Sequence, residues 1–308
     1  MSDSKPKDHQ KSYANETMKL LFERSSCRSF LNKTIPQEVL NAVLEAGTHS
    51  ATAGNLQPYS IIKIENPENK LKMAKMCEQR SIAKAPVLLL FCLDLHRLER
   101  WAKLEVAPFT ATSSFRHFWV SFQDTIICAQ SICTAADSMG LGSVYIGTVI
   151  DNPAEIERMF KLPKGVFPVV LVCLGYPKVQ PKPASKLDPD VVVHSEYYDE
   201  LEDRRLLSAY DKKYKDMKLP LTNARLEKIL KVCRIVHGRE FEEKCAEKMK
   251  TDGFVNVAQH YFGHHYRADL MPQGNDQYLK IMEESGFNWF KKYSLTSPPA
   301  RESDKYCL

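Results

Sequence analysis

The succession of apolar and polar positions predicts the elements of this chain one after another. In "NETMKLLFER" (15–24), Met18, Leu21 and Phe22 share one side of a helix. "IPQEVLNAVLEAG" predicts a second helix, with Pro36 suited to its first turn and Val39, Leu40, Val43 and Leu44 on the buried face. "YSIIKI" alternates as a strand does, and "PENKLKMAKMCEQ" has the period of an amphipathic helix. "PVLLLFCL", unbroken between Pro86 and Asp94, predicts a strand buried on both faces. His117 to Met139, closed by Gly140, predicts a long helix that is apolar on more than one face through Trp119, Phe122, Ile126, Ile127, Ile132 and Ala136. Such a helix lies at the centre of a core or in a subunit interface. "GSVYIGTVI" (142–150) predicts a strand, and "NPAEIERMF" a short helix with Asn152 as its cap and Pro153 at its first position. "FPVVLVCLGYP" predicts another buried strand, stopped by Gly-Tyr-Pro. The proline-rich "VQPKPASKLDPD" leads into an extended "VVVHSEYY", and from Leu201 onward the pattern is mostly helical and charged. Two late helices, in "EKMKTDGFVN" and "LKIMEESGFNW", each end in Gly-Phe, glycine closing the helix and phenylalanine packing back. Strands and helices mix without a steady βαβ repeat, which is the pattern of an α+β fold with a mixed sheet.

Composition narrows the class. A chain of 308 residues, 44% hydrophobic and 26% charged, has the make-up of a soluble globular protein with a large core. The net charge, 43 − 38 = +5, is dispersed and too weak to argue for nucleic acid. No apolar run reaches the roughly 18–20 residues of a membrane helix. The nine cysteines form no CxxC, and several sit inside apolar runs. They are expected to be reduced thiols in the cytoplasm. Residues 1–13 are expected to be a disordered tag.

Candidate chemistry is sparse. No GxGxxG follows a strand and no Walker loop occurs, so a Rossmann or P-loop nucleotide site is unsupported. In "RSSCRSF", Arg24 and Arg28 stand four apart with Ser25, Ser26 and Ser29 among them. Two readings are open. Cations and serines suit the end of a helix, and two guanidiniums with hydroxyl donors also make a cup for a phosphate. His260, His264 and His265 have a spacing that could serve a metal, but no carboxylate or cysteine motif accompanies them, and no metal is expected. Cys27 sits inside the candidate cup, but position alone does not make it a redox thiol.

Six pieces in order change the picture: "RSSCRSF", "SATAGNLQP", "QRSIAKAPVLLLFCLDLHR", "FQDTIICAQSICTAADSMGLGSVYIG", "LPKGVFPVVLVCLGYP" and "KPASKLDPDVVVHSEYY". Together the chain resembles the nitroreductase-like FMN-dependent oxidoreductases, closest to the NADPH-dependent, oxygen-insensitive nitroreductase and flavin reductase branch. The resemblance implies a nitroreductase-like α+β fold: a mixed, mostly antiparallel sheet flanked by helices, in an interlocked homodimer. It implies a nitroreductase-like domain over residues 14–256, with 257–308 a helical C-terminal extension of unknown role. Members carry FMN, take hydride from NADPH or NADH, and reduce small-molecule electron acceptors such as nitroaromatics, quinones or flavins. The flavin does the chemistry and the protein supplies binding and electrostatics. No catalytic side chain is therefore named.

Carried over position by position, Arg24, Ser25, Ser26 and Arg28 match the segment that holds the FMN phosphate and ribityl chain. Ala53 and Asn55 match a loop that reaches the flavin from the partner subunit. Gln79 and Ser81 match a pair facing the pyrimidine edge. Tyr145, Ile146, Gly147 and Thr148 match a segment lying against the flavin, where a backbone N–H favours the reduced, anionic ring. Lys182 matches a further cation for the phosphate or the N1–O2 edge. Asp124, within the long helix, matches a structural hydrogen-bond hub. Two expected arginines are replaced, by Ile150 and Ala184, with Lys186 close by. Their loss motivates an alternative, a flavin-binding carrier or sensor with little nicotinamide turnover.

Overall fold

The computed structural model describes residues 12–293, so the first eleven residues of the expected tag and the cysteine at 307 lie outside the described residues. The described residues divide into two units, 12–183 with 279–293, and 184–278.

In the first unit the order is α1 (Glu16–Glu23), α2 (Gln37–Thr48), β1 (Tyr59–Ile64), α3 (Pro67–Met76), α4 (Arg80–Lys84), β2 (Val87–Asp94), α5 (His96–Leu104), α6 (Phe115–Ser138), β3 (Gly142–Ile146), α7 (Pro153–Phe160) and β4 (Val166–Gly175). The strands form one sheet in the order β1-β2-β4-β3, every pairing antiparallel. The sheet is thus antiparallel and not mixed, and the parallel bridge between Ser26 and Ser143 is an isolated one outside the named strands. The continuous apolar runs form the two central strands, β2 and β4, and every residue of both is buried. Pro168 has no N–H to give to the ladder. The register against β2 shifts there, with Phe91 facing Val170 and Cys92 facing Pro168, so that Val169 is the extra residue of a bulge.

One face of the sheet is covered by a core built from Met73, Ile82, Leu88, Leu90, Ile156 and Leu171, among others. Along α6, Thr125, Cys128, Ile132 and Ala136 are buried. Helix α2 approaches α6 at Gly47, where a Cβ would sit 2.2 Å from Cγ1 of Ile132. The other side of α6 leaves Trp119 51% and Ile127 45% exposed, so its apolarity exceeds what this unit covers. Helix α3 begins at Asn66, whose side chain accepts from the N–H groups of Glu68 and Asn69 at 2.9 and 3.1 Å. Asn66→Ala removes both acceptor contacts and is expected to cost about 1 kcal/mol in denaturant unfolding.

The second unit contains α8 (Pro189–Val192), α9 (Asp203–Lys213), β5 (Leu219–Pro220), α10 (Asn223–His237), α11 (Arg239–Asp252), β6 (Phe254–Val255) and α12 (Val257–His260), with β5 and β6 paired. Its core gathers Ile229, Cys233, Met249 and Val255. Helix α13 (Asn275–Glu284) starts at the end of this unit, and from Leu279 it belongs to the first, where a turn closes it with Gly286 at φ 93° and Phe287 fully buried, as the Gly-Phe pattern predicts. Helix α11 likewise ends at Gly253 with φ 72°.

Three local expectations are corrected. The strand expected over 142–150 pairs with β4 only as far as Ile146, opposite Leu171, and Gly147–Asp151 is a 3-10 turn whose Thr148 hydroxyl donates to the Cys77 carbonyl. Asn152 stands before α7 but does not cap it, since its amide donates to the Met76 carbonyl at 3.1 Å. The segment expected to be extended begins as α8, which Pro189 starts at its first position. Among the described residues no helix is long and apolar enough to cross a membrane.

Candidate functional site

Backbone contacts, more than side chains, place the "RSSCRSF" segment. Helix α1 ends at Glu23, and Arg24 is the first residue beyond it, so the two arginines do not share a helical turn. The Cys27 N–H donates to the Ser143 carbonyl at 2.9 Å, which ties the segment to the start of β3. On its other side the Lys178 N–H donates to the Ser29 carbonyl at 2.9 Å, and the Leu31 N–H donates to the Tyr176 carbonyl at 2.8 Å. Gly142 permits this approach: a Cβ there would lie 2.6 Å from Cβ of Cys27 and 3.0 Å from Cγ of Pro177.

A cavity of ≈ 180 Å³ opens between this segment, the end of α6 and residues 177–181, with Arg24, Ser25, Asp137, Gly142 and Pro181 in its wall. The Ser25 hydroxyl donates to the Pro181 carbonyl at 2.8 Å and so fastens the segment that carries Lys182. The Arg24 guanidinium turns inward, Nε 3.6 Å from Oδ2 of Asp137. Its Nε and Nη2 are buried without a hydrogen-bond acceptor, as is Oδ2 of Asp137 without a donor. Burial pushes the Asp137 carboxyl up to about 6, against the pull of Arg24. Ser26 is exposed, and Arg28 and Lys182 are exposed with no ion pair or hydrogen bond among the described residues.

A second cluster forms where α4 meets the turn after β3. The Gln79 amide donates to the Thr148 hydroxyl at 3.3 Å, and Ser81 lies partly buried two residues on. Ile146 is buried and Gly147 is exposed, a Cβ there meeting nothing within 4 Å. The Tyr145 hydroxyl donates to Oε1 of Gln130 at 3.4 Å, and burial, with the neighbouring Cys133 thiol, raises its pKa well above the usual phenol value. The Ala53 N–H donates to the buried Asp124 carboxylate, at 3.1 Å to Oδ2. Burial raises that carboxyl above its usual range, and the hydrogen bond from Ala53 opposes the rise. Asn55 beside it is exposed, in a left-handed conformation with φ 55°. Asp124 thus holds the 53–55 turn in place.

The structure therefore brings Arg24 and Ser25 together at one cavity, and Gln79 and Thr148 into direct contact. It leaves Arg28, Lys182 and Asn55 as exposed groups. Ile150 and Ala184, where arginines were expected, are both exposed as well. The Cys27 thiol is buried and its pKa is raised by burial, the condition of an inert thiol. His260 and His264 stack at 5.4 Å, and the His260 pKa is lowered by burial and by the neighbouring imidazoles. No group of three His, Cys, Asp or Glu side chains with metal-holding geometry occurs among the described residues.

Sequence reasoning passed over Asp137. A signal was present: it is an acid in the last turn of a long helix, at the negative end of the dipole, where a cation is the stable choice.

Comparison with known proteins adds context to this geometry. The profile described as "Nitroreductase family" matches residues 21–176. The chain is 32% identical over 216 residues to "FMN reductase [NAD(P)H]" of Bacillus subtilis (strain 168), covering 68% of this chain and 86% of that protein. It is 31% identical over 196 residues to "Oxygen-insensitive NADPH nitroreductase" of Salmonella typhimurium, covering 63% of this chain and 79% of that one. Among solved structures, the hypothetical oxidoreductase YcnD from Bacillus subtilis superposes with a TM-score of 0.69 at 26% identity, over 89% of this chain and 98% of that one.

Proposed function

The chain belongs to the nitroreductase family, and from that premise we propose that it is an FMN-dependent NAD(P)H oxidoreductase acting on nitroaromatics, quinones or flavins. The observation that carries this reading is the guanidinium of Arg24, buried at a cavity with two nitrogens lacking an acceptor. Buried donors left unsatisfied cost of order 1–3 kcal/mol each, and an anion is the acceptor that offsets that cost best. The donor set suits the phosphate end of FMN: Arg24 inside, Ser25 and Ser26 on the same segment, Arg28 exposed nearby in sequence, and Lys182 on the segment fastened by Ser25.

In this reading each of the chain's own groups has one task. Arg24, Arg28 and Lys182 neutralise the phosphate, and Ser25 and Ser26 flank the ribityl chain. Gln79 and Ser81 meet the pyrimidine edge with amide and hydroxyl groups. Residues 145–148 lie along the ring, where open space beside Gly147 lets backbone come close. Ala53 and Asn55, held by Asp124, serve the flavin of the partner subunit. When bound, FMN supplies the redox chemistry, accepting hydride from NADPH or NADH and passing it to the acceptor in a ping-pong cycle. The protein's contribution is binding, orientation and electrostatics. The exposed apolar side of α6, with Trp119 and Ile127, supports assembly as a homodimer through that helix. The free and mostly buried thiols favour a cytoplasmic setting.

Steady-state rates test the reaction class. NADPH or NADH oxidation should depend on an added nitroaromatic, quinone or flavin, with parallel double-reciprocal lines as nicotinamide and acceptor are varied. Loss of all acceptor-dependent oxidation with both nicotinamides would sink the assignment.

A further inference from the structure

Asp137 occupies a position where a carboxylate is poorly accommodated. It lies in the last turn of α6, at the negative end of the helix, and its side chain is only 13% exposed. What compensates it is Arg24, 23% exposed, reaching in from the end of α1. At 3.6 Å from Nε to Oδ2 the two attract without forming a hydrogen bond. The pair is therefore incomplete: Nε and Nη2 of Arg24 remain without acceptors. The other ionisable groups around this pair are Cys133 of α6, Tyr145 of β3, Cys27, and Glu23 at the cavity wall. Burial keeps the Cys133, Tyr145 and Cys27 hydroxyl and thiol groups protonated. Asp137 is thus the anion that faces the guanidinium at close range. A buried guanidinium with one weak counter-charge and free donors is aimed, and it is not saturated.

We propose that Asp137 is a positioning residue for the cofactor phosphate: it holds the Arg24 guanidinium at the cavity with N–H donors to spare for the phosphate monoester of FMN. This rests on the reading above, in which Arg24 meets that phosphate. Asp137 itself touches no part of the flavin. Its effect runs through Arg24 and concerns the phosphate alone.

The phosphate can be subtracted by comparing FMN with riboflavin. The full-length protein, freed of bound flavin, is titrated with each, and binding is read from quenching of flavin fluorescence. Wild type should prefer FMN. Asp137→Ala should lower FMN affinity about tenfold and leave riboflavin affinity unchanged, with Asp137→Glu restoring most of the preference. Arg24→Ala should lose the same preference, and adding Asp137→Ala to it should cost nothing further. If Asp137→Ala does not fold, as judged by its thermal transition, the isosteric Asp137→Asn takes its place with the same direction of change. An equal loss for both ligands, an unchanged FMN preference, or full additivity with Arg24→Ala would overturn the proposal. If Arg24→Ala itself keeps the wild-type preference for FMN, the reading beneath it falls, and the proposal falls with it.

Discussion

Arg28→Ala is expected to purify as a folded protein that has lost most of its flavin, binding FMN about 10- to 100-fold more weakly than wild type. Arg28 is exposed and has no hydrogen bond or ion pair among the described residues, so nothing in the fold depends on its charge. Removing an exposed, unpartnered side chain changes stability by no more than about 0.5 kcal/mol. A flavin deficit with an unchanged thermal transition therefore reports on the site alone. Arg24 does not offer so clean a test, because its removal also strips Asp137 of its counter-charge. Two replaced cations sharpen the expectation: with Ile150 and Ala184 where arginines were expected, fewer positive groups remain to share the phosphate. Arg28→Lys should recover part of the affinity only, since an ammonium keeps the charge and loses the bidentate fork. Flavin occupancy equal to wild type in Arg28→Ala, measured from the absorbance ratio of flavin to protein, would remove Arg28 from the site.

Gly142→Val acts on the same cup from behind. A single Cβ at Gly142 would already lie 2.6 Å from Cβ of Cys27, an atom fixed to the backbone. It would also press on the Pro177 ring at 3.0 Å. Neither neighbour is the free end of a flexible chain, so the extended 24–31 segment must move away from β3. The Cys27 to Ser143 hydrogen bond and the Ser26–Ser143 bridge are the contacts broken first. Overpacking of this kind costs about 1–3 kcal/mol, and a lost buried backbone hydrogen bond adds about 1 kcal/mol or more. The expected outcome is a lower denaturation midpoint together with loss of bound flavin. Gly147→Ala is the companion control: a Cβ there meets nothing within 4 Å, so stability should hold. If Gly142→Val matched wild type in both stability and flavin content, backbone contact would not be what places the cup.

Much of this architecture is legible in the sequence because the signals are local. Strands β2 and β4 announce themselves as unbroken apolar runs, and they prove to be the fully buried pair at the centre of the sheet. Helix α6 shows its excess apolarity directly, in Trp119 and Ile127 left exposed beyond the buried stripe. Where side chains bond to distant backbone, the pattern misleads. Thr148 reaches Cys77 and Asn152 reaches Met76, each more than seventy positions away, so the turn after β3 is fastened to the end of α3 and α7 has no side-chain cap. The site shows the same limit. "RSSCRSF" offers two equivalent arginines, yet one turns inward to Asp137 and the other faces solvent. Only tertiary contacts tell them apart, through the ties of residues 27–31 to Ser143, Tyr176 and Lys178. Asp137 was visible only as an acid at the wrong end of a helix, a weak signal until its partner is seen beside it.

Anaerobic reduction of the purified protein tests the central claim most directly. The protein should be yellow with bound FMN, and titration with NADPH or with NADH should bleach the oxidised flavin band stoichiometrically. Readmission of a quinone or nitroaromatic should then restore it. A colourless protein that takes up no FMN, or a yellow one that neither nicotinamide bleaches, would contradict the assignment of this chain as an FMN-dependent NAD(P)H oxidoreductase.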